Sequence, residues 1–201
     1  MKQKIGHKVV LTGGPCAGKT TMVRLIEQAY PASVVGIPEA ASLLFGGGFP
    51  RFPAVEAKRA MQRAIFFVQH ELEAAYAAEH PERTLLLDRG TIDGAAYWPE
   101  GPEDFFHVLG TSFEEELARY DKVIYLSSAA ESDYLLHKER NPNRRESWEE
   151  AQSLDSRTLE LWRRHPNFTL IANNRSFQRK VMEVLGVFAG SLSFEDSDGK
   201  K

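Results

Sequence analysis

Apolar residues fall into two kinds of run along the chain. Five runs are short and rich in β-branched or aliphatic residues: Lys8 to Thr12, Val34 to Ile37, Thr84 to Asp88, Lys122 to Leu126 and Phe168 to Ile171. Such runs predict buried strands. Between them the spacing of apolar positions lengthens. From Val55 to Tyr76, residues Met61, Ile65, Val68, Leu72 and Ala75 recur every third or fourth position, which predicts a long helix with one apolar face. Weaker helical patterns cover Thr20 to Tyr30, Glu131 to Arg140, Ser147 to Arg164 and Ser176 to Leu185. Strands that alternate with helices imply an α/β fold, a five-stranded parallel sheet with helices on both faces. Sheets of that kind bind ligands at the carboxyl ends of their strands, so the residues just after each strand carry the functional information.

The segment after the first strand is Gly13-Gly14-Pro15-Cys16-Ala17-Gly18-Lys19-Thr20, a full G-x-x-x-x-G-K-[ST] match. Each fixed position has a physical reason. Glycines let the backbone curl until successive N–H groups point inward at phosphate oxygens. The helix that follows, beginning near Thr20 and Thr21, presents its positive end to the same phosphates. In this pattern the Lys19 side chain reaches the β- and γ-phosphates and the Thr20 hydroxyl reaches Mg²⁺. Pro15 lacks an N–H, but early in the loop that loss matters little. The match lies between a predicted strand and a predicted helix, as a phosphate-binding loop requires. It predicts a nucleoside triphosphate, ATP or GTP, with Mg²⁺.

Two other strand ends carry acidic residues. Leu85-Leu86-Leu87-Asp88 places a carboxylate where P-loop folds hold Mg²⁺, usually through water. Arg89 follows, either as a clamp on a transferred phosphate or as part of a surface ion pair. The second strand ends at Pro38, which stops it, and Glu39 comes next. Glu39 is either a base for an attacking hydroxyl or a carboxylate drawn to a helix N-terminus. Further on, Arg140-Asn141-Pro142-Asn143-Arg144-Arg145-Glu146 interrupts the helical pattern with three arginines. Such a loop either closes on phosphates as a lid or stays a solvated charged connector.

Composition narrows the classes. With 42% hydrophobic and 26% charged residues, the 201-residue chain matches an ordinary globular domain. We expect one domain over residues 1–190, a lid loop near 140–146, and a disordered polar tail at 191–201. A net charge of −3 gives no electrostatic ground for nucleic-acid binding. Cys16 is the only cysteine, which excludes an internal disulfide. No apolar run is long enough to span a membrane, and a cytoplasmic protein is expected. The six histidines show no metal-ligand spacing. No nucleophile elbow is present. Asn173-Asn174-Arg175-Ser176, after the fifth strand, lacks the Asp of a guanine-reading N-K-x-D motif, which leaves ATP and GTP both open.

The segments VVLTGGPCAGKTT, PEAA, MQRAIFFVQHELEAA, LLLDRG and NRRE, in that order, resemble the small P-loop group labelled "AAA domain". Its members are nucleotide-kinase-like. The group is similar to the ribosylnicotinamide kinase domain of bacterial NAD regulators. It is also similar to an animal GTP- and phosphoinositide-binding protein of photoreceptor channel trafficking. Thymidylate kinase and the deoxynucleoside kinases are more distant. The resemblance spans Lys8 to Gly186. It implies that Glu39 is the base, Asp88-Arg89 the second acidic motif and Arg144 the lid arginine. It also implies that Gln69, on the long helix, contacts an acceptor. The loop Gly46-Gly47-Gly48-Phe49-Pro50-Arg51 matches no substrate signature, so the acceptor stays unidentified.

Two functions follow from these readings. One is a Mg²⁺-dependent phosphotransferase acting on an unidentified small molecule. In it Lys19, Arg89 and Arg144 neutralise developing charge, Thr20 and Asp88 hold the metal, and Glu39 takes the proton. The other is a nucleotide-gated module that recruits a protein or a phosphoinositide with little catalysis. Glu39, Arg89 and the arginine loop together exceed what binding alone needs, which favours the first.

Overall fold

A computed structural model of the protein describes residues 7–128, 147–173 and 176–192. The predicted helix from Glu131 to Arg140, the lid loop with Arg144, and the last nine residues lie outside the described residues. Five parallel strands form one sheet: β1 (Lys8–Gly13), β2 (Val34–Ile37), β3 (Thr84–Asp88), β4 (Lys122–Leu126) and β5 (Phe168–Ile171). Their order across the sheet is β2-β3-β1-β4-β5, so β1 is central. Leu11 is in register with Asp88 on one side and with Ile124 on the other. The ends of β1 and β3 are therefore adjacent.

Successive strand residues point to opposite faces, and both faces are covered. Val10, Val35, Ile37, Leu85, Leu87, Val123 and Tyr125 pack on one side with Phe66, Phe105, Phe106 and Trp162. Val9, Leu11, Val34, Leu86, Ile124 and Leu126 pack on the other with Met22, Ile26, Val184 and Phe188. The second layer comes from α1 (Lys19–Ala29) and the C-terminal helix, which begins at Phe177 and runs through Leu192, past the Leu185 at which the pattern ended.

The first layer is built mainly from α3 (Val55–Glu79) and from shorter helices that the pattern did not announce. These are α2 (Ala40–Gly46), α4 (Asp93–Ala96), α5 (Pro102–Leu109) and α6 (Phe113–Leu117). After β4 come α7 (Trp148–Trp162) and, after β5, α8 (Phe177–Leu192). Local chemistry fixes several of their ends. Ser112 and Ser147 each form a reciprocal capping box, with Glu115 and Glu150. Pro102 opens α5 and Gly110, in the left-handed region, ends it.

The turn after β3 is packed closely against α7. A Cβ on Gly90 would lie 2.8 Å from Cη2 of Trp162 and 3.1 Å from Cζ of Tyr120, both buried rings. Gly90→Ala is therefore expected to destabilise the protein by about 1–3 kcal/mol, because neither ring can give way. Denaturant unfolding of the variant checks this; an unchanged midpoint would show that the turn is loosely packed.

Candidate functional site

The loop between β1 and α1 follows from its glycines. Gly13 has φ 143, and a Cβ there would fall 2.0 Å from the carbonyl oxygen of Leu126. Only glycine fits that approach. Cys16, at φ 61, is one of two non-glycine residues of positive φ among the described residues, a conformation found in loops whose N–H groups cradle anions. Lys19, 8% exposed, folds over the loop and donates to the carbonyls of Gly13 and Gly14, each at 2.9 Å. Burial, and secondarily the charge of Arg89, lower its ammonium to about 8, although Asp88, Glu39 and Asp93 pull the other way.

Across the loop lies the end of β3. Asp88, 2% exposed, accepts a 2.5 Å hydrogen bond at Oδ2 from the Thr20 hydroxyl. Its other oxygen, Oδ1, is buried with no hydrogen-bond partner. Burial first, and then the charge of Glu39, raise its carboxyl above the ordinary range. A buried carboxylate with one orphaned oxygen beside a hydroxyl has the chemistry of a hard-cation site.

Arg89 is the other non-glycine residue of positive φ, at 73. That conformation costs free energy, and ion pairs hold it in place. Its Nε donates to Glu39 Oε1 at 2.8 Å, and its Nη1 to Asp93 Oδ1 at 2.6 Å. Burial alone would lower the guanidinium, but Tyr97, Asp93 and Glu39 hold it well above its ordinary value. Glu39 stands at the N-cap of α2, yet its side chain makes no capping bond. It turns instead to Arg89 and to the Ser42 hydroxyl at 2.5 Å. Burial would raise the Glu39 carboxyl; Arg89, Lys19 and Ser42 overcome that and hold it below the ordinary range. Of the two readings of Arg89 as clamp or ion pair, the pair is present, but it is an inward one on the wall of a cleft.

That cleft is bounded by Glu39, Ala40, Ala41, Ile65, Phe66, Gln69, Arg89, Asp93, Gly94 and the turn residues Gly90 and Thr91. Gln69 thus joins Glu39 and Arg89 on one cavity. Asp93 lies outside every motif read from the chain. Only 4% exposed, it accepts from Thr12 Oγ1 at 2.7 Å, Gly90 N at 3.1 Å and Trp162 Nε1 at 3.0 Å, besides Arg89. It ties β1, the turn after β3 and α7 into one frame. The i, i+4 spacing of Arg89 and Asp93 was the one available signal. Trp98 and Trp162 are both core residues, 1% and 0% exposed. Among the described residues no group of three or more His, Cys, Asp or Glu side chains is placed to hold a metal ion by itself.

A family model described as "AAA domain" matches residues 8–180. The chain belongs to that family. No curated protein sequence matches it. Among solved structures, the chain is similar to deoxyadenosine kinase from M. mycoides with bound dATP, with a TM-score of 0.62 and 14% identity. The match covers 91% of this chain and 99% of that one. At that identity the likeness is one of fold. This AAA domain protein therefore carries a P-loop nucleotide-binding domain of kinase-like fold. No helix among its described residues is long and apolar enough to cross a membrane.

Proposed function

We propose that this AAA domain protein is a Mg²⁺-dependent, cytoplasmic phosphotransferase that moves the γ-phosphoryl group of ATP or GTP to a small molecule in the Arg89 cleft. One observation carries the reading: Glu39 and Arg89, which triphosphate binding does not need, meet on the wall of a cleft next to Lys19 and Asp88. The loop N–H groups from Gly13 to Thr21 and the Lys19 ammonium hold the triphosphate. Thr20 and Asp88 hold Mg²⁺, which when bound neutralises charge on the phosphates. Arg89 faces the transferred group, and Glu39, kept ionised by its cations, accepts the proton of the attacking hydroxyl. Gln69 positions the acceptor. Arg144 supplies a further cation from the lid loop.

The named neighbour is a deoxyadenosine kinase, which makes nucleosides the first acceptors to try. A thermal-shift screen of nucleosides, pyridine nucleosides and sugars, with Mg²⁺ and a non-hydrolysable ATP analogue, tests the reading. One compound class should raise the melting temperature beyond the analogue alone, and Arg89→Ala should remove that increment. If no class does so across the three sets, the cleft is not an acceptor site for them.

Asp88→Asn tests the metal. The substitution keeps the shape and the bond to Thr20 but removes the charge that a cation requires. Nucleotide titrations with and without Mg²⁺ should show the metal strengthening binding in the wild type and much less in the variant. Equal strengthening in both would place the cation elsewhere. In the absence of metal the raised Asp88 carboxyl has its own signature. Its folded value lies above its unfolded one, so its contribution to stability is present in acid and lost as pH rises through the folded value.

A further inference from the structure

We propose that Glu73 fixes the amide of Gln69 with its carbonyl oxygen toward the cleft, so that the site selects acceptors whose planar group carries an N–H donor. The inference rests on the phosphotransferase reading of the cleft and names the class of acceptor it takes.

Gln69 and Glu73 lie one turn apart on the inner face of α3. Gln69 is 3% exposed and lines the cleft; Glu73 is fully buried behind it. Glu73 Oε2 accepts from Lys8 Nζ at 2.9 Å and from Arg119 Nη2 at 2.6 Å. Its Oε1 accepts from the Tyr120 hydroxyl at 3.0 Å and from Gln69 Nε2 at 3.3 Å. A carboxylate paired with two cations offers lone pairs and no proton. The two ends of an amide are not equivalent toward such a partner. Turned the other way, Gln69 would set its carbonyl oxygen against a carboxylate oxygen in a buried site, where acceptor against acceptor is most costly.

The amide nitrogen is thus committed to Glu73, and Oε1 is the end left for a ligand. Among the described residues no donor is bonded to it. The adjoining wall is apolar, from Ile65 and Phe66, which suits the face of a ring. A ring lying there meets Gln69 with its edge. An amino or carboxamide N–H donates to Oε1, whereas a carbonyl or carboxylate at the same point faces it unpaired. Glu39 and Arg89, on the same cleft, are left for the hydroxyl. The sequence separation of the network, with Lys8 and Arg119 drawn from β1 and from the turn after α6, makes Glu73 a built support and not a chance neighbour.

Matched pairs test the inference. The full chain, with Mg²⁺ and a non-hydrolysable ATP analogue, is titrated by calorimetry with adenosine and purine riboside, cytidine and uridine, and nicotinamide riboside and nicotinate riboside. At least one amino- or carboxamide-bearing member should bind about 10- to 100-fold more tightly than its partner, the weight of one buried hydrogen bond. Glu73→Gln lets Gln69 rotate and should shrink that ratio several-fold. A merely structural Glu73 would weaken both members alike and leave the ratio unmoved. If Glu73→Gln does not fold, Gln69→Leu, which leaves Glu73 its three other partners, should abolish the ratio. An unchanged ratio in the folded variants, a preference for the acceptor-only members, or no binding by any pair overturns the inference. A labelled product from some other acceptor would still leave the phosphotransferase reading standing.

Discussion

Lys19→Met is expected to make the nucleotide-free protein more stable while removing most of its triphosphate affinity. The two effects share one cause. The lysine is 8% exposed, and burial together with Arg89 lowers its ammonium to about 8, from an ordinary 10.5. A cation whose folded value lies below its unfolded value destabilises the fold. The penalty is complete below about pH 8 and is relieved as pH rises from there toward 10.5, where the unfolded chain still holds the proton and the folded one does not. At neutral pH the methionine variant escapes the penalty, at the loss of two hydrogen bonds to loop carbonyls. The net gain should raise the melting temperature by roughly 2–6 °C. Affinity should fall by about tenfold to a hundredfold, since charge-assisted bonds to phosphate are lost. Bound phosphate also restores the ammonium, so wild-type binding at pH 9 should take up a proton. Calorimetry in buffers of different ionisation enthalpy reads that uptake. A variant less stable than wild type, with unchanged ATP and GTP titrations, would identify Lys19 as a structural lysine.

Glu39→Gln carries the largest expected effect on turnover. A base acts only when a proton leaves in the transition state, so triphosphate affinity should stay within a few-fold of wild type while turnover with the right acceptor falls by roughly 10²–10⁴-fold. The amide is nearly isosteric and can keep a bond to Arg89, which separates loss of the base from loss of the frame. Arg89→Lys is a useful companion, because lysine cannot bridge Glu39 and Asp93 with a rigid fork. A nucleotide-gated module makes the opposite forecast: Glu39→Gln would alter partner binding or nothing.

The strands and the phosphate loop were legible because each depends on local chemistry. All five strands lie within a residue of the runs that announced them, and the loop's signature is a contiguous backbone requirement. The long helix was legible for the same reason, its roughly seven turns giving the period room to repeat. Four short helices, α2 and α4 to α6, were not, since four to eight residues span too few turns to show a period. Asp88, Arg89 and Glu39 could be placed at strand ends, but which of them touch could not. That required the β2-β3-β1 order, which makes β2 and β3 neighbours and so brings residues 39 and 89 together. Asp93 and Glu73 were invisible because their partners are distant: Thr12 and Trp162 for the first, Lys8 and Arg119 for the second. A carboxylate at a helix start or on a charged helix reads as solvated until tertiary contacts bury it. Gln69 was seen only through resemblance, since one amide within an amphipathic pattern carries no signal of its own.

Group transfer is read most directly from the fate of the γ-phosphoryl group. Wild type and Glu39→Gln are each incubated with γ-labelled ATP or GTP, Mg²⁺ and a pooled small-molecule extract, and the products are separated. A phosphotransferase puts label into a discrete small molecule with the wild type, far faster than it releases inorganic phosphate, and the variant loses that product by about two orders of magnitude or more. Label that emerges from a broad extract only as inorganic phosphate, at a rate Glu39→Gln does not change, would rule out group transfer.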